Sequence, residues 1–430
     1  MVEPLASWAE PAQLPISADG RARRLAARWL LPVQSPPIEH GAVLIGSSGR
    51  IEAVGPDALV PRPQGVPVVD LGDAIAIPGL INTHTHLELT GLEGRIAERE
   101  FPAWIRRLRE IKATRSFSEF ASAARQGLTD CYAAGVTFIA DTGDSGAVIQ
   151  ALSEADGAGI AYLEVFGPDP SQADESLAGL QTDIARNAHW ATGRVRIGVS
   201  PHAPYTVSGP LFKAVADWAR TERLPLAVHL AESPAEVQFL FAGTGPFAKT
   251  WLGRGIPLPP SKGHTPVTWL AAHGVLSDRS LCIHAVQVGP EDIRLLSDRG
   301  AAVAHCPLSN HMHGHGKAPL AAFLDAGLRV GLGTDSVVSV GKLDLLAEAR
   351  AAGELAEVPA DMLLELCTLG GARALGLDSE IGSLTVGKWG DCTVIRPRSA
   401  SGSPARRVLE SGPGDVVATY LGGREVYRAP

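Results

Sequence analysis

The sequence predicts an α/β fold. A closed parallel barrel of eight β-then-α units fills the middle of the chain, and the two ends together build a smaller β domain. Three observations predict this. Near-continuous apolar runs alternate with helical patterns, as strands buried on both faces do. The residues able to carry chemistry stand at the carboxyl ends of those runs, where barrel sites are built. Short β-like runs occur at both chain ends, and neither set holds enough strands for independent stability. An open doubly wound sheet would want a glycine-rich phosphate turn after its first strand, and none is present there.

Composition sets the outer limits. A chain of 430 residues accommodates one α/β barrel plus a smaller domain, or two to three modest domains. Hydrophobic residues at 45% and charged residues at 20% suit a globular protein with a large core. The formal net charge of −8 argues against nucleic acid or an anionic membrane as the main partner. The five cysteines (Cys131, Cys282, Cys306, Cys367, Cys392) form no C-x-x-C pair and sit mostly inside apolar runs, as reduced core thiols of a cytosolic protein do. The amino terminus has neither a basic n-region nor an apolar h-region, and no run of 18 apolar residues occurs. No signal peptide and no membrane span are therefore expected, and the expected location is cytoplasmic. The expected partner is a small-molecule substrate, with no nucleic acid and no membrane; a homodimer is a possible assembly.

Taken in order, residues 1–18 read as an extension with little to bury. Residues 19–75 form the first part of the β domain, with runs such as Ala27–Leu31, Gly41–Gly46 and Arg50–Val54 punctuated by Gly, Pro and Ser. Residues 76–380 form the barrel. Its strands are expected near Ala76–Asn82, Val136–Asp141, Ile160–Phe166, Val195–Ser200, Leu226–Leu230, Leu281–Ala285, Ala301–Cys306 and Val330–Thr334. Helical patterns between them include Phe117–Tyr132, Pro210–Thr221, Pro290–Asp298 and Ala318–Ala326. Residues 381–430 return to the β domain through Gly390–Ile395, Asp415–Leu421 and Gly423–Tyr427. Two long connections, Leu87 to about Phe117 and Ser233 to about Arg279, read as ordered loops that make lids and pockets.

The organising stretch is Pro78-Gly-Leu-Ile-Asn-Thr-His84-Thr-His86-Leu-Glu88. Residues i and i+2 of a strand face the same side, so His84 and His86 present two imidazoles to one point. Later strand ends add His229, Glu232, His284 and Asp335. One divalent metal wants three or four such ligands and one position left open for water. His84, His86, His229 and Asp335 meet that need, and Asp335 also counts in the catalytic set. Such a metal lowers the pKa of water, so that hydroxide attacks an sp2 carbon. Glu232, three residues beyond His229, is placed to take the water proton and hand it on. His284 is placed to orient the hydroxide or to polarise a developing oxyanion.

The fourth strand, Val195–Ser200, carries no Lys to bridge two metals, which favours one. His202, just beyond it, is either a substrate hydrogen-bond partner or a structural His. His311-Met-His-Gly-His315 reads as a lining or exposed loop rather than a second metal site. His305 reads as structural, and His40, His189, His264 and His273 take no role. Trp104, Phe239, Phe241, Phe247 and Trp251 offer aromatic surface in the two long connections, for a substituent or for loop packing.

These motifs, with Ser200-Pro-His-Ala-Pro-Tyr205, Pro307-Leu-Ser-Asn310, Gly333-Thr-Asp335 and Gly382-Ser-Leu-Thr-Val-Gly-Lys388-Trp-Gly-Asp391, resemble the amidohydrolase superfamily, in its mononuclear deaminase and chlorohydrolase branch. The resemblance runs from about Arg21 to Tyr427. It implies a distorted (β/α)8 TIM barrel with a composite β-sandwich, one Zn2+ or Fe2+, and hydrolytic deamination of an aromatic amine. Within that branch, His86-Leu-Glu-Leu, Phe101-Pro-Ala-Trp-Ile105, Glu164-Val-Phe-Gly167 and Gly316-Lys-Ala-Pro-Leu320 resemble the aminodeoxyfutalosine deaminases of menaquinone biosynthesis. Adenosine, S-adenosylhomocysteine and methylthioadenosine deaminases are near neighbours. The expected substrate contacts are His202, Glu88, Asn310 and Trp104, and the His311–His315 stretch departs from the pattern of either group. The competing activities are hydrolysis of an aryl halide or of a cyclic amide, and the competing class is a non-catalytic binding protein on the same fold.

Overall fold

The computed structural model describes residues 22–260, 262–399 and 401–430; the expected extension 1–18 lies outside them. Eight parallel strands form the barrel: β6 (Leu80–Thr85), β7 (Val136–Gly143), β8 (Ala158–Val165), β9 (Arg194–Pro201), β10 (Leu226–Leu230), β11 (Ser280–His284), β12 (Ala302–His305) and β13 (Arg329–Leu332). Each pairs with its neighbour in sequence. Helices link them on the outside, as right-handed crossovers between parallel strands require.

The first and last strands meet through side chains as well as backbone. Asn82 Nδ2 donates to Thr334 Oγ1 at 2.8 Å, and Asn82 Oδ1 accepts from Thr334 N at 3.1 Å. Asp335 N donates to His84 O at 3.0 Å. The approach needs a glycine: a Cβ on Gly333 would lie 2.8 Å from the backbone N of His84. This seam brings Asp335 to His84 of β6 and to His86 just beyond the strand's end.

Side chains alternate along the strands between two cores. Ile81, Ile160, Leu281, Ile283, Ala302 and Ala304 share one, while Ile139, Val228, Cys282 and Val303 pack against the helices. This period-2 division of wholly buried strands is what the near-continuous apolar runs encode.

The chain ends pair into one eight-stranded sheet. Its strands are β1 (Arg23–Leu30), β2 (Ile38–Ile45), β3 (Ile51–Pro56), β4 (Val68–Asp70), β5 (Ile75–Pro78), β14 (Cys392–Ile395), β15 (Val416–Leu421) and β16 (Arg424–Arg428). Strands β4 and β5 run parallel to β1, and the remaining pairs are antiparallel. Leu25, Val43, Ile45, Val394, Ala418 and Tyr420 share one core, so strands from both ends close over the same interior. Asp391 fastens this unit to the barrel through Arg194, whose two guanidinium nitrogens reach its carboxylate at 2.8 and 2.5 Å. Trp389 lies between the guanidinium groups of Arg50 and Arg194, 4.5 and 4.4 Å from its ring centre.

Two expectations are corrected. The run Ala76–Asn82 is not one strand. It divides at Gly79 into β5, which belongs to the small sheet, and β6, which opens the barrel. A Cβ at Gly79 would fall 2.0 Å from Thr137 Oγ1, so the passage between the two sheets is too tight for a side chain. The other expected barrel strands agree with β7–β13 to within a couple of residues.

The two long connections are not open loops. The first contains helix α1 (Phe101–Ala113), and the second contains helices Pro234–Ala242, Gly245–Gly253 and Pro266–Ala272. Helix α2 (Phe117–Ala133) begins on a capping box, with Ser116 and Glu119 satisfying each other's backbone N–H groups.

Candidate active site

His84, His86 and His229 bring ligand nitrogens within 4.8 Å of one another. Asp335 Oδ1 stands 3.6 Å from His84 Nε2 and 3.5 Å from His86 Nε2. The other ring nitrogens are committed. His86 Nδ1 hydrogen-bonds Thr142 O at 2.8 Å, and His229 Nδ1 hydrogen-bonds His202 O at 3.2 Å. A ring that donates from Nδ1 keeps the Nε2 lone pair for a metal. Asp335 is oriented in turn by Ser309 Oγ, 2.5 Å from Oδ2, and by Ser336 N, 2.6 Å from Oδ1. His84 is 1% exposed, and neither of its ring nitrogens has a hydrogen-bond partner. A buried, unpartnered imidazole costs stability unless something completes it. One divalent ion among these four groups would do so, and a donor set of three imidazoles and one carboxylate fits such an ion.

Burial keeps the imidazoles neutral, as metal ligands must be. It lowers His84 to about 4 and holds His229 well below the ordinary histidine range. Burial would raise the Asp335 carboxyl, but the His84 imidazole beside it, with His86 and His284 nearby, holds it well below the usual carboxylate range.

A second group, Glu164, His202 and His229, also converges within 4.8 Å. It shares His229, whose Nδ1 is already bonded. One free Nε2 serves one ion, so the two groups cannot be filled together.

Glu232 and His284 stand beside the ligands. Their Oε1 and Nε2 are 3.6 Å apart. Positive φ angles cluster here, at Ala231 (51°), His284 (71°), Ala285 (47°) and Asp335 (58°). Non-glycine residues are held this way only where the surroundings over-determine them. At Ala231 the surroundings are a carboxylate: Glu236 accepts from the backbone N of both Ala231 and Glu232 at 2.9 Å. Burial pushes Glu232 up, but His284 and His315 outweigh it and hold the carboxylate at about 2. It is ionised and ready to accept a proton at neutral pH.

A cavity of about 470 Å³ opens over these groups, lined by His86, His202, His229, Glu232, His284 and Asp335 on the metal side. One long face of α1 (Phe101, Trp104, Ile105, Leu108 and Lys112) forms the facing wall. Of the expected substrate contacts, His202 and Trp104 line the cavity, while Glu88 and Asn310 do not. Glu88, 1% exposed, instead accepts from Lys112 Nζ at 2.7 Å. Asn310 Oδ1 accepts from His284 Nδ1 at 2.9 Å. Both act on other side chains.

The aromatic residues of the second connection are also placed differently from one reading of them. Phe239, Phe247 and Trp251 are buried in the core, and Phe241 faces outward at 56% exposure. Phe247 stacks on Tyr205 at 4.1 Å between ring centres, so this group backs the cavity rather than lining it. Sequence alone assigns no role to Tyr205, Glu164 or Lys112, and places His315 only in a lining or exposed loop. Tyr205 OH donates to Glu232 Oε2 at 3.3 Å. Glu164 reaches the cavity with one oxygen unpartnered. Tyr205 and Glu164 fall inside quoted motifs, so the signal for them existed. The signal for His315 was the unusual histidine-rich stretch itself.

A model described as the amidohydrolase family matches residues 75–426. A 5-methylthioadenosine/S-adenosylhomocysteine deaminase of Moorella thermoacetica is 32% identical over 390 residues, 86% of this chain and 84% of its own. An aminodeoxyfutalosine deaminase of Deinococcus radiodurans is 33% identical over 363 residues, 80% of this chain and 82% of its own. Among solved structures, Helicobacter pylori aminofutalosine deaminase, in complex with methylthio-coformycin, superposes with a TM-score of 0.83 at 19% identity. That match covers 94% of this chain and 100% of the other, and it is a likeness of fold. Among the described residues, no helix is long and apolar enough to cross a membrane.

Proposed function

Because the chain belongs to the amidohydrolase family and is a hydrolase of carbon–nitrogen bonds other than peptide bonds, we propose that it deaminates an adenine-type nucleoside carrying a large substituent on its ribose. The leading substrate is 6-amino-6-deoxyfutalosine, which would place the enzyme in menaquinone biosynthesis. Methylthioadenosine or S-adenosylhomocysteine is the second reading, favoured by the Moorella thermoacetica relative. The observation that carries the proposal is the cavity. It joins the His84–His86–His229–Asp335 cluster to the apolar face of α1, so the ring fits over the ionisable groups and the substituent against Phe101, Trp104, Ile105 and Leu108.

His84, His86, His229 and Asp335 would hold the ion. When bound, it supplies a water that is nucleophilic near neutral pH. Glu232 is placed to accept a proton from the attacking water and to deliver it to the ring nitrogen next to C6 as oxygen adds to C6. A second proton, from the hydroxyl now on C6, passes by the same carboxylate to the amino group. The C6–N bond then breaks, and ammonia leaves with the ring carbonyl formed. Adenine ring and water are consumed, hypoxanthine ring and ammonia are produced, and Glu232 ends as it began. His284 donates its Nδ1 hydrogen to Asn310, so its Nε2 is an acceptor that orients the attacking water. His202 and Trp104 contact the substrate farther along the cavity.

The test compares kcat/KM for aminodeoxyfutalosine, methylthioadenosine, S-adenosylhomocysteine and adenosine, followed by ammonia release and the change in adenine absorbance. Aminodeoxyfutalosine is expected to lead. A preference of about tenfold for one of the others replaces the substrate and keeps the deaminase. No ammonia from any of them, with turnover of an aryl halide or cyclic amide, removes both.

A further inference from the structure

His315 belongs to a stretch to which the reaction above gives no part, yet it reaches the centre of the site. It is 3% exposed. Gly314 and Gly316, with φ of 65° and 103°, turn the chain inward on either side of it. Its backbone N donates to Asn310 O at 2.9 Å, and the Gln287 side-chain amide donates to its carbonyl. Phe101 of α1 meets its ring edge-on at 4.4 Å, and His313 stacks on it at 5.4 Å. Its Nε2 stands 3.3 Å from Glu232 Oε1, buried and with no aligned hydrogen-bond partner.

The hydrogen-bond inventory around Glu232 shows what that nitrogen is for. Tyr205 OH donates to Oε2. His284 Nε2 lies 3.6 Å from Oε1, but His284 spends its hydrogen on Asn310, and a neutral imidazole carries only one. It therefore shows Oε1 a lone pair, not a donor. Two further imidazoles lie near this carboxylate: His313 shares a hydrogen bond with Ser339 Oγ at 3.1 Å, and His202 Nδ1 shares one with Thr206 Oγ1 at 2.8 Å. The donor left for Oε1 is His315 Nε2–H.

We propose that His315 is a positioning residue for Glu232, donating from Nε2 to Oε1 so that the carboxylate keeps one orientation through both proton transfers. The proposal rests on the reading that Glu232 moves the protons. It also ties the carboxylate to the substrate wall, because the same ring is braced by Phe101 of α1.

The experiment compares His315→Ala, His315→Gln and His315→Asn with the wild type. It measures kcat, KM and metal content, on the nucleoside that the wild type deaminates best. Loss of one hydrogen bond to a charged group amounts to about ten- to a hundredfold. His315→Ala is expected to lose that much in kcat, with KM changed by less than about threefold and metal retained. His315→Gln, long enough to donate to Oε1, recovers most of the rate, and the shorter His315→Asn does not. If the alanine variant fails to fold, the Gln and Asn pair decides.

A loss carried by KM, or a Gln variant as slow as the Asn variant, overturns the proposal. Failure of the deaminase reading shows elsewhere, as a wild type that releases no ammonia. The same comparison is then made on the hydrolysis it does perform.

Discussion

At Glu232 two opposing effects meet. Burial favours the neutral acid, and the imidazoles around it favour the carboxylate and prevail. A base that must collect a proton from water has to begin the cycle empty, and this one does. Glu232→Gln keeps the shape and the hydrogen bond from Tyr205 but cannot collect the proton. It is expected to retain metal and fold while losing turnover on the order of 10²-fold or more. Metal analysis beside the rate decides the matter: a variant that loses its ion, and regains full rate when the ion is resupplied, would make Glu232 a structural support. The four residues proposed as metal ligands could be picked out of the sequence because each stands at or just beyond the end of an apolar run. Lys112 and Glu164 have no assignment from sequence, and His315 only that of a lining or exposed loop: Lys112 reaches the site on α1, His315 on the connection after β12, and Glu164 from inside β8, in an otherwise apolar strand. Glu88 shows the converse. It sits two residues beyond His86, yet its carboxylate lies behind the cavity wall, where it accepts from Lys112 at 2.7 Å, and Asp144 accepts from the same ammonium at 2.7 Å. Proximity in sequence to a ligand did not decide where its side chain points.

Helix α1 turns its apolar stripe to the cavity. An apolar stripe on a surface helix ordinarily faces the core. Phe101, Trp104, Ile105 and Leu108 recur at helical spacing, but they line the cavity and only Phe101 among them is buried. The substrate itself is the natural cover for the rest of that face. Trp104→Ala is therefore expected to raise KM about tenfold for a nucleoside with a bulky ribose substituent, from lost apolar burial, and to leave unsubstituted adenosine nearly unchanged. Equal losses on both would show that Trp104 supports the helix rather than the substituent. The sequence reading treated this connection as a loop because it is bounded by charged and glycine-bearing stretches, and its period of three to four residues is short. The division of Ala76–Asn82 at Gly79 escaped for a similar reason. Two consecutive apolar strands in different sheets look like one run until the sheet that claims each half is known.

Across the whole molecule the barrel was readable because wholly buried strands leave long apolar runs, and the composite sheet was readable because neither end had partners enough alone. Its register and its seam with the barrel were not, since both depend on contacts such as Arg194–Asp391 that join residues nearly two hundred positions apart. The same global closure buries several histidines together, and this has a thermodynamic consequence. Burial lowers His84 to about 4, and His202 and His305 to about 3, from an ordinary value of 6.5. Between those values the unfolded chain binds more protons than the folded one, so stability rises with pH across that interval. The metal-free protein is accordingly expected to hold the full contribution of these residues above about pH 6.5 and to lose it progressively as pH falls toward 4. A bound divalent ion adds its own binding energy to the folded state and competes with protons for His84, His86 and His229. Thermal melts with and without a chelator at pH 7.5 and pH 5 test both statements together. Chelation should lower Tm at pH 7.5, the chelated protein should melt lower at pH 5 than at 7.5, and elemental analysis before chelation should find about one equivalent of metal per chain. Two tightly held equivalents would overturn the single-ion centre. A chelated Tm that does not change between the two pH values would mean that the buried imidazoles are already protonated in the folded state, and the account of a neutral ligand cluster awaiting one ion would fail with it.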